Sequence, residues 1–301
     1  MIIFTENKIL RTSPTDALRG PAIILASIDE RDAALALTGI TVISGFPDAE
    51  NNSTRFESRE LYDYVTIHIP DFVRLDEESA RIEGYITKTF LVLVGDSPII
   101  AKLEYDLSAD LGVASTPACV LAMLFNLLLG QEMHLLESID DDIENLEELA
   151  TLKKPEDQTQ TIITLRKQLL ALKRYFEALY DLLEELEDNL NNHFSTSQLQ
   201  VFRAHKNKVN RLLNKALSLR DYLTQVREAF QMQLDIGLNE TMRIFTVITA
   251  VFLPLTLIVG WYGMNLRMPE MKSAITYPIV MGVSAVFVIF SLIYSKRKGW
   301  F

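Results

Sequence analysis

Two long uncharged apolar stretches stand at the C-terminal end of the chain. Residues 244–266 read IFTVITAVFLPLTLIVGWYGMNL and residues 273–295 read SAITYPIVMGVSAVFVIFSLIYS, and neither 23-residue run contains Asp, Glu, Lys, Arg or His. A helix needs about 20 predominantly apolar residues to cross the hydrocarbon core of a bilayer. We therefore predict a first transmembrane helix over 244–266, an outer loop over 267–272 and a second transmembrane helix over 273–295.

Short segments rich in Ile, Val, Thr and Tyr dominate the N-terminal part of the chain, and turn residues separate them. Strands have this composition and this punctuation. The predicted strands cover 22–29, 40–44, 64–69, 84–94 and 99–105. The turn sequence GDSP at 95–98 predicts a hairpin that joins the last two segments. We therefore expect an α/β domain over 1–114.

A helical pattern begins at Thr116, a residue type that caps helix N termini. It is followed by Pro117, which suits the first helical position. Apolar residues three and four positions apart then continue to about Ala150, with Leu135 and Leu149 among them. The spacing predicts one long amphipathic helix in this part of the chain.

After a break at 154–155, apolar residues resume as a sustained heptad seam from Ile162 to Leu190. Such a seam predicts that this helix and the preceding one pack as an antiparallel helical hairpin over 115–194. A third helix begins near Ser197 and has no stop signal before the first apolar stretch. We predict a stalk helix over 195–243 that continues into the membrane.

The net charge of −11 divides unevenly along the chain. Residues 239–301 contain six Lys or Arg and two Asp or Glu, a formal charge of +4, which leaves −15 for the first 238 residues. An acidic chain argues against a nucleic-acid surface, which requires clustered Lys and Arg. Apolar residues make up 49%, which excludes intrinsic disorder, and the single cysteine excludes a disulfide-built secreted scaffold.

Three consecutive basic residues, Lys296, Arg297 and Lys298, follow the second apolar stretch directly and open a basic tail over 296–301. A basic cluster at a membrane exit predicts the cytoplasmic side. Two crossings then place the acidic body on the same side. The N-terminal residues MIIFTENKIL show no signal-peptide pattern. We expect a two-span protein of the cell membrane with both termini in the cytoplasm.

Tyr262, Gly263, Met264 and Asn265 stand where the first spanning helix must end and turn. Glycine permits backbone conformations that other residues resist. Asn265 offers an amide oxygen without net charge, and several copies around an axis would form a ring of neutral oxygens at a pore mouth. Because Mg²⁺ gives up its water reluctantly, such a ring suits a hydrated ion, which it can bind through the water shell.

The chain resembles the CorA family of divalent-cation transporters, whose signature is Gly-Met-Asn after a Tyr at this place. The resemblance is close over 239–271, which read NETMRIFTVITAVFLPLTLIVGWYGMNLRMPEM, and the order of predicted elements agrees over the whole chain. It implies a funnel-shaped homopentamer in which the first span of each subunit lines the pore. It also implies that Tyr262, Gly263, Met264 and Asn265 form the ion-selectivity motif.

The resemblance further implies five pore-lining residues on the first span. They are Asn239, Met242, Phe245, Thr249 and Leu253. Their spacing of three, three, four and four places them on one face of a helix. Asn239 and Thr249 would contact ion-bound water, whereas Met242, Phe245 and Leu253 would form apolar constrictions of the kind that gate by dewetting. Lys296, Arg297 and Lys298 would form a basic ring on the cytoplasmic side.

The outer loop and one stalk position depart from the family pattern. The outer loop of the family is usually acidic, whereas this loop holds Glu270 against Arg267 and Lys272, which weakens the electrostatic capture of cations. Some relatives hold an inter-subunit regulatory cation with a stalk aspartate. Ala204 stands at that place here, beside His205, so no residue is assigned to a regulatory metal site.

No catalytic constellation is present in the sequence. The four histidines, at positions 68, 134, 193 and 205, stand in no metal-ligand pattern such as HExxH, and there is no Walker A loop or dinucleotide fingerprint. We interpret the histidines as structural or solvated and Cys119 as a small core residue. The sequence therefore predicts neither an enzyme nor a bound cofactor, and it argues against an ATP-driven pump.

The sequence favours a homopentameric, channel-like transporter that passes divalent cations, first of all Mg²⁺ and with it Co²⁺ or Ni²⁺, under the membrane potential. Its expected partners are the cations, the lipid bilayer and further copies of the chain, with no nucleic acid. One alternative is a Zn²⁺ transporter of the ZntB branch. A second alternative, from another class, is a membrane-anchored coiled-coil sensor or scaffold that conducts nothing.

Overall fold

The computed structural model describes most of the chain. The described residues are 1–5, 8–11, 18, 20–41, 53–72, 74, 79–95, 98–109, 116–130, 132–151, 158–264 and 275–299. The chain divides into two compact units. The first, here called the body, comprises Met1–Leu146 and Asp157–Val226, and the second, here called the apolar unit, comprises Glu147–Glu156 and Arg227–Phe301.

The body contains a seven-stranded sheet among the described residues. Its strands are β1 (Ile2–Thr5), β2 (Lys8–Leu10), β3 (Ala22–Ala26), β4 (Arg55–Ser58), β5 (Asp63–Ile69), β6 (Ala80–Ile86) and β7 (Phe90–Val94). They lie in the order β2-β1-β3-β7-β6-β5-β4. The β3–β7 pair is parallel, with Ile24 opposite Val92, and the other pairs are antiparallel.

The two central strands are buried along their length because both are continuous apolar runs, AIILA and FLVLV. A parallel pair covered on both faces typically has such runs. Ile24, Val92 and Leu93 are fully buried. The predicted strands at 22–29 and 64–69 are therefore confirmed as β3 and β5, with small differences at their ends. The expectation of an α/β domain is met.

Seven helices are described. They are α1 (Arg31–Thr38), α2 (Pro98–Ala109), α3 (Pro117–Leu128), α4 (Glu132–Ala150), α5 (Thr159–Asp188), α6 (Thr196–Tyr262) and α7 (Thr276–Arg297). A short 3₁₀ turn over Ile28–Glu30 leads into α1. The last two helices are the long helix and the second apolar helix that the hydrophobic pattern predicts.

The predicted strand at 99–105 is wrong, because residues Pro98–Ala109 form α2. Ile100, Leu103 and Leu107 are three and four positions apart and all are buried, so the segment buries one helical stripe. The predicted hairpin around 95–98 is wrong for the same reason. The real hairpin lies inside the segment predicted as one strand at 84–94, where Thr87 N–H donates to the Phe90 carbonyl at 2.8 Å.

The predicted strand at 40–44 falls largely outside the described residues, and the part that is described, residues 40–41, lies in no strand. Cys119 is exposed rather than a core residue, because it lies at the one exposed position among four consecutive residues at the start of α3.

The predicted helix over 116–150 is two helices, divided after Leu129-Gly130. Its predicted start is confirmed: the Thr116 hydroxyl accepts a hydrogen bond from the Cys119 N–H at 3.3 Å. The division shifts the apolar stripe in α4, which buries Leu136 where Leu135 was predicted and leaves Leu149 37% exposed.

Salt bridges and aromatic rings hold the first part of α6 in the body. The Nζ atom of Lys206 lies 2.7 Å from Oε2 of Glu187 on α5, and the Nζ atom of Lys215 lies 2.5 Å from Oδ2 of Asp140 on α4. The ring of Phe202 on α6 lies 6.5 Å from that of Phe125 on α3. The helical pairing that the sequence suggests between α4 and α5 stays a prediction.

The turn between α5 and α6 is fixed to the sheet. Asn189 ends α5 in a left-handed conformation, with φ of 48°. Asn191 then donates its side-chain amide to the Asp63 carboxylate at 2.6 Å and to the Arg59 carbonyl at 2.7 Å. Asp63 opens β5 and is 1% exposed. The start of α6 is thereby tied to the β4–β5 edge of the sheet.

Candidate functional site

Three stretches of the described chain are long and apolar enough to cross a membrane, by length and composition alone. They are Pro117–Ala150, Thr196–Tyr262 and Thr276–Arg297. In the most apolar window of the first stretch 47% of the residues are buried, against 11% in the second and 0% in the third. The exposed apolar surface therefore lies on α6 and α7.

Within the apolar unit, α7 packs against one face of α6. This packed face of α6 consists of Val247, Val251, Leu255, Ile258 and Tyr262. Val247 and Val251 are 2% and 8% exposed. The other three border a cavity of about 650 Å³ whose opposite wall is formed by Thr276, Tyr277, Val280, Met281 and Ser284 of α7. Apart from the hydroxyl of Tyr262, which belongs to the predicted ion-selectivity motif, the packed face is apolar.

The five residues predicted to line a pore lie on the opposite face of α6. An α-helix turns by about 100° per residue, so the mean direction of these five residues is about 180° from that of the packed face. Met242, Phe245 and Leu253 are 63%, 60% and 68% exposed, and Asn239 and Thr249 are exposed as well. The predicted pore face is therefore the face of α6 that α7 leaves free.

The hydroxyl of Thr249 is oriented by its own helix. It donates to the Phe245 carbonyl at 2.8 Å, so the oxygen offers its remaining lone pairs to the exposed side. Water bound to a metal ion presents hydrogen atoms outward, and an acceptor is the group that such water requires. The Thr249 oxygen is therefore free to accept a hydrogen bond on the exposed side, and its contact with a hydrated cation stays a prediction.

The same face continues beyond the residues that the sequence analysis selected. Thr256 and Gly260 extend the spacing of three and four from Leu253, and both are exposed. The Thr256 hydroxyl donates to the Phe252 carbonyl at 2.8 Å and so resembles Thr249 in its orientation. The signal that could have found Thr256 is the continued helical spacing toward the Gly-Met-Asn motif.

The motif at the end of α6 is partly described. Tyr262 is the last helical residue, and Met264 is 49% exposed. Gly263 N–H donates to the Val259 carbonyl at 2.8 Å, and a Cβ at Gly263 would lie only 2.9 Å from that oxygen. Side chains do not adopt such a close approach, so this turn requires glycine. Asn265 lies outside the described residues, as does the predicted outer loop at 267–272.

The predicted basic residues lie at the other end of the apolar unit. Lys296 and Arg297 lie in the last turn of α7. Lys298 caps the helix, and its N–H donates a hydrogen bond to the Tyr294 carbonyl at 3.0 Å. Cationic side chains at a helix C terminus interact favourably with the helix dipole. All three side chains are exposed.

The part of the body that the structure describes holds no cluster of metal-ligating side chains. Among the described residues, no group of three or more His, Cys, Asp or Glu side chains could hold an ion. His134 is solvated, whereas His68 and His205 are buried, and burial lowers the pKa of His68. His193 Nε2 lies 3.8 Å from Asp63, whose pKa is raised by burial. The arrangement fits structural or solvated roles, and a regulatory metal site stays unassigned.

These elements define an integral membrane protein that has an α/β body, one very long helix and C-terminal apolar helices. The profile of the family described as "CorA-like Mg2+ transporter protein" matches residues 30–297. The chain belongs to this CorA family. The resemblance noted in the sequence is thereby confirmed.

Individual relatives agree with the family. The chain is 30% identical over 233 residues to the "Cobalt/magnesium transport protein CorA" of Thermotoga maritima, a match that covers 74% of this chain and 65% of that protein, slightly less than two thirds. It is 25% identical over 320 residues to the "Putative metal ion transporter YfjQ" of Bacillus subtilis, with 99% and 97% covered.

Solved structures support the fold. The complete CorA magnesium transporter of Methanocaldococcus jannaschii superposes with a TM-score of 0.82 at 19% identity, over 100% of this chain and 98% of that one. The cytoplasmic domain of ZntB from Vibrio parahaemolyticus gives 0.63 at 13% identity, over 78% of this chain and 98% of that one. At these identities the likeness concerns the fold alone.

Proposed function

We propose that the protein is a channel-like transporter for hydrated divalent cations, first of all Mg²⁺. The observation that carries the proposal is the geometry of α6. One face packs against α7, and the opposite face combines exposed acceptor groups with exposed apolar side chains in the order that a gated cation path requires. Family membership and the magnesium and cobalt transport named for the relatives support the same reading.

The free face of α6 favours assembly of several copies. Met242, Phe245 and Leu253 are each at least 60% exposed, and a lone subunit would present them as an apolar stripe interrupted by polar groups. Copies of α6 around an axis enclose such a stripe in a pore. We propose the funnel-shaped homopentamer of the family as the arrangement, with the first span of each subunit on the axis.

The proposed division of the chain follows from this arrangement. It assigns 1–114 to a cytoplasmic α/β domain, 115–194 to a helical hairpin and 195–243 to the stalk. The spans are 244–266 and 273–295, the outer loop is 267–272 and the basic cytoplasmic tail is 296–301. Two spans are favoured over three because nearly half of the apolar window within Pro117–Ala150 is already buried.

The pore chemistry suits an ion that keeps its water. The described pore face carries amide and hydroxyl oxygens and no carboxylate. Mg²⁺ dehydrates reluctantly and is usually held through its waters. In the proposal, the Asn265 ring at the outer mouth binds the hydrated ion, Thr249 and Asn239 contact its water along the path, and the apolar side chains between them close the pore by dewetting.

The membrane potential supplies the driving force. One charge that crosses 100 mV gains about 2.3 kcal/mol, and a divalent cation gains about twice that amount. With both termini in the cytoplasm, a negative interior draws cations toward the acidic body. The outer loop holds Glu270 against Arg267 and Lys272, so the loop contributes little attraction and the Asn265 ring must select the ion.

Two other hypotheses about the function can be distinguished from this proposal by experiment. The likeness of the body to a ZntB cytoplasmic domain motivates Zn²⁺ as the alternative cargo. A non-conducting membrane-anchored sensor would need neither the Tyr-Gly-Met-Asn motif nor polar groups on the free face of α6.

Ion flux into liposomes that contain the purified full-length protein tests the proposal. Mg²⁺, Co²⁺, Ni²⁺ and Zn²⁺ are offered separately under an imposed inside-negative potential. We expect Mg²⁺ uptake that rises with the potential. Uptake of Zn²⁺ without Mg²⁺ would favour the ZntB-like alternative, and no flux of any of the four ions in a correctly assembled protein would favour the non-conducting scaffold.

A further inference from the structure

Four positive charges collect at one end of the apolar unit. This basic cluster consists of Arg243, Lys296, Arg297 and Lys298, and all four side chains are exposed. Among the described residues from 237 to 299, Glu240 is the only acid. No ion pair joins a member of the cluster to any residue that the structure describes. The cluster therefore carries a net positive charge that no ion pair among the described residues offsets.

Two independent arguments place the members of the cluster at the same depth. Arg243 directly precedes the first uncharged run, and Lys296 directly follows the second. The helix packing gives the same level, since the cavity between the helices is lined by residues 255–263 of α6 and residues 276–284 of α7, whose midpoints are residues 259 and 280. Helices advance by about 1.5 Å per residue, so 16 residues along the antiparallel α7 match 16 residues back along α6 and bring Lys296 level with Arg243.

The α7 part of the basic cluster lies away from the proposed conducting path. Because α7 packs on the face of α6 opposite the predicted pore face, α7 is the peripheral helix of each subunit. Its basic end then meets lipid rather than the pore axis. This step rests on the proposed function, since it takes the free face of α6 as the face that lines the path.

An aromatic stripe continues from the cluster into the apolar surface. Phe290 and Tyr294 of α7 are 66% and 50% exposed, and their rings stack with centroids 6.4 Å apart. Lys298 follows four positions after Tyr294 and so lies on the same side of the helix. Tyr rings concentrate at the headgroup level of membranes. The stripe thus offers apolar contact for an acyl chain directly beside cationic groups.

We propose that the basic cluster binds the headgroup of an anionic phospholipid. The Arg297 guanidinium can hold two phosphate oxygens at once, and the flanking lysines supply further charge. Anionic lipids attract juxtamembrane Lys and Arg with an energy that increases with each charge. The ligand is a membrane lipid rather than a soluble phosphate, because the aromatic stripe prolongs the charged site at the depth where acyl chains begin.

Native mass spectrometry of the purified full-length protein in detergent tests the proposal. The protein is titrated with phosphatidylglycerol and, separately, with phosphatidylcholine of the same acyl chains. We expect wild-type protein to retain phosphatidylglycerol at least about tenfold more tightly, and the K296Q/R297Q/K298Q variant to lose that preference. The variants K296R/K298R and K88Q/K102Q/R211Q, the latter removing three charges from the body, should keep it.

Several results would overturn the proposal: no headgroup preference in wild type, an unchanged preference in K296Q/R297Q/K298Q, or displacement of phosphatidylglycerol by excess inorganic phosphate, which would indicate a soluble anion. If the triple variant does not assemble, the single variant K298Q is tested instead, and its preference for phosphatidylglycerol should fall by about threefold. Lipid retention is measured without an ion gradient. A protein that prefers phosphatidylglycerol but conducts no ion would therefore refute the proposed function and support the lipid site.

Discussion

Thr249 donates its hydroxyl hydrogen to the carbonyl of Phe245, 2.8 Å away on the preceding turn of α6. The donor is thereby used within the helix, and the hydroxyl oxygen can act toward the free face as an acceptor. Phe245 itself is 60% exposed on that face. One pair of residues thus places an apolar ring and a hydrogen-bond acceptor one helical turn apart.

Replacement of Thr249 tests whether this oxygen contributes to ion passage. Thr249→Val preserves the branched shape but removes the acceptor, so we expect Mg²⁺ flux in liposomes to fall by about tenfold, the effect of one lost hydrogen bond to a hydrated ion. Thr249→Ser keeps the hydroxyl and should retain most of the flux. Equal flux in the two variants would show that the Thr249 oxygen does not contact the ion's water.

The close approach at Gly263 predicts that even a methyl group is not tolerated there. A Cβ would lie 2.9 Å from the Val259 carbonyl oxygen, so Gly263→Ala must displace the backbone that precedes Met264 and Asn265 in the sequence. We expect loss of at least about 90% of Mg²⁺ flux, because small misplacements of a binding group reduce rates strongly.

Gly282→Ala is the matched control, since no atom lies within 4 Å of the position that its Cβ would occupy on α7. This variant should transport normally. Full activity of Gly263→Ala would mean that the motif tolerates a displaced backbone, and the structural reason for glycine would then be wrong.

The ion pairs of Glu187 predict a pH-dependent stability of the body. Hydrogen bonds from Lys206 and Arg203 hold the pKa of Glu187 below its ordinary value of 4.5. A lowered folded-state pKa means that the stabilisation is complete above pH 4.5, declines as the pH falls below that value, and is lost once the pH passes the lowered pKa. Stability from this carboxylate is therefore present at neutral pH and absent in strong acid.

Thermal melting of the full-length protein in detergent measures this effect. Glu187→Gln should lower the melting temperature at pH 7 by about 4 °C, which corresponds to about 1–2 kcal/mol of charge-assisted hydrogen bonding. The difference from wild type should shrink toward pH 3. Glu184→Gln is the control, because Glu184 is more exposed and lies 3.7 Å from Lys206, so its effect should be smaller. If the difference in melting temperature between wild type and Glu187→Gln is the same at pH 7 and pH 3, this assignment is wrong.

Long-range patterns made most of the architecture predictable. The uncharged runs gave the C-terminal apolar helices, and the heptad seam gave α5, because both signals persist over many turns. The short run IIAKLEY was misread as a strand, since a few apolar residues rich in Ile suit either structure. Its burial at Ile100, Leu103 and Leu107 is decided by the surface on which it packs, which no local pattern encodes.

The residue types of the candidate site could be predicted from the sequence, but the full extent of the site could not. The family resemblance implied the residues from Asn239 to Leu253, their spacing placed them on one face of α6, and the structure extends that exposed face to Thr256. That α7 packs on the opposite face depends on two helices at once and could not be derived from the spacing of α6 alone. The same limit applies to Asn191, whose bond to Asp63 joins positions 128 residues apart.

The proposed function depends on a ring of Asn265 side chains that selects a hydrated divalent cation for passage along α6. Mg²⁺ flux into liposomes by Asn265→Ala measures this dependence, with size-exclusion chromatography to verify that the variant still assembles. We expect loss of selective Mg²⁺ uptake in an intact oligomer. Full Mg²⁺ flux through an assembled Asn265→Ala protein would contradict it.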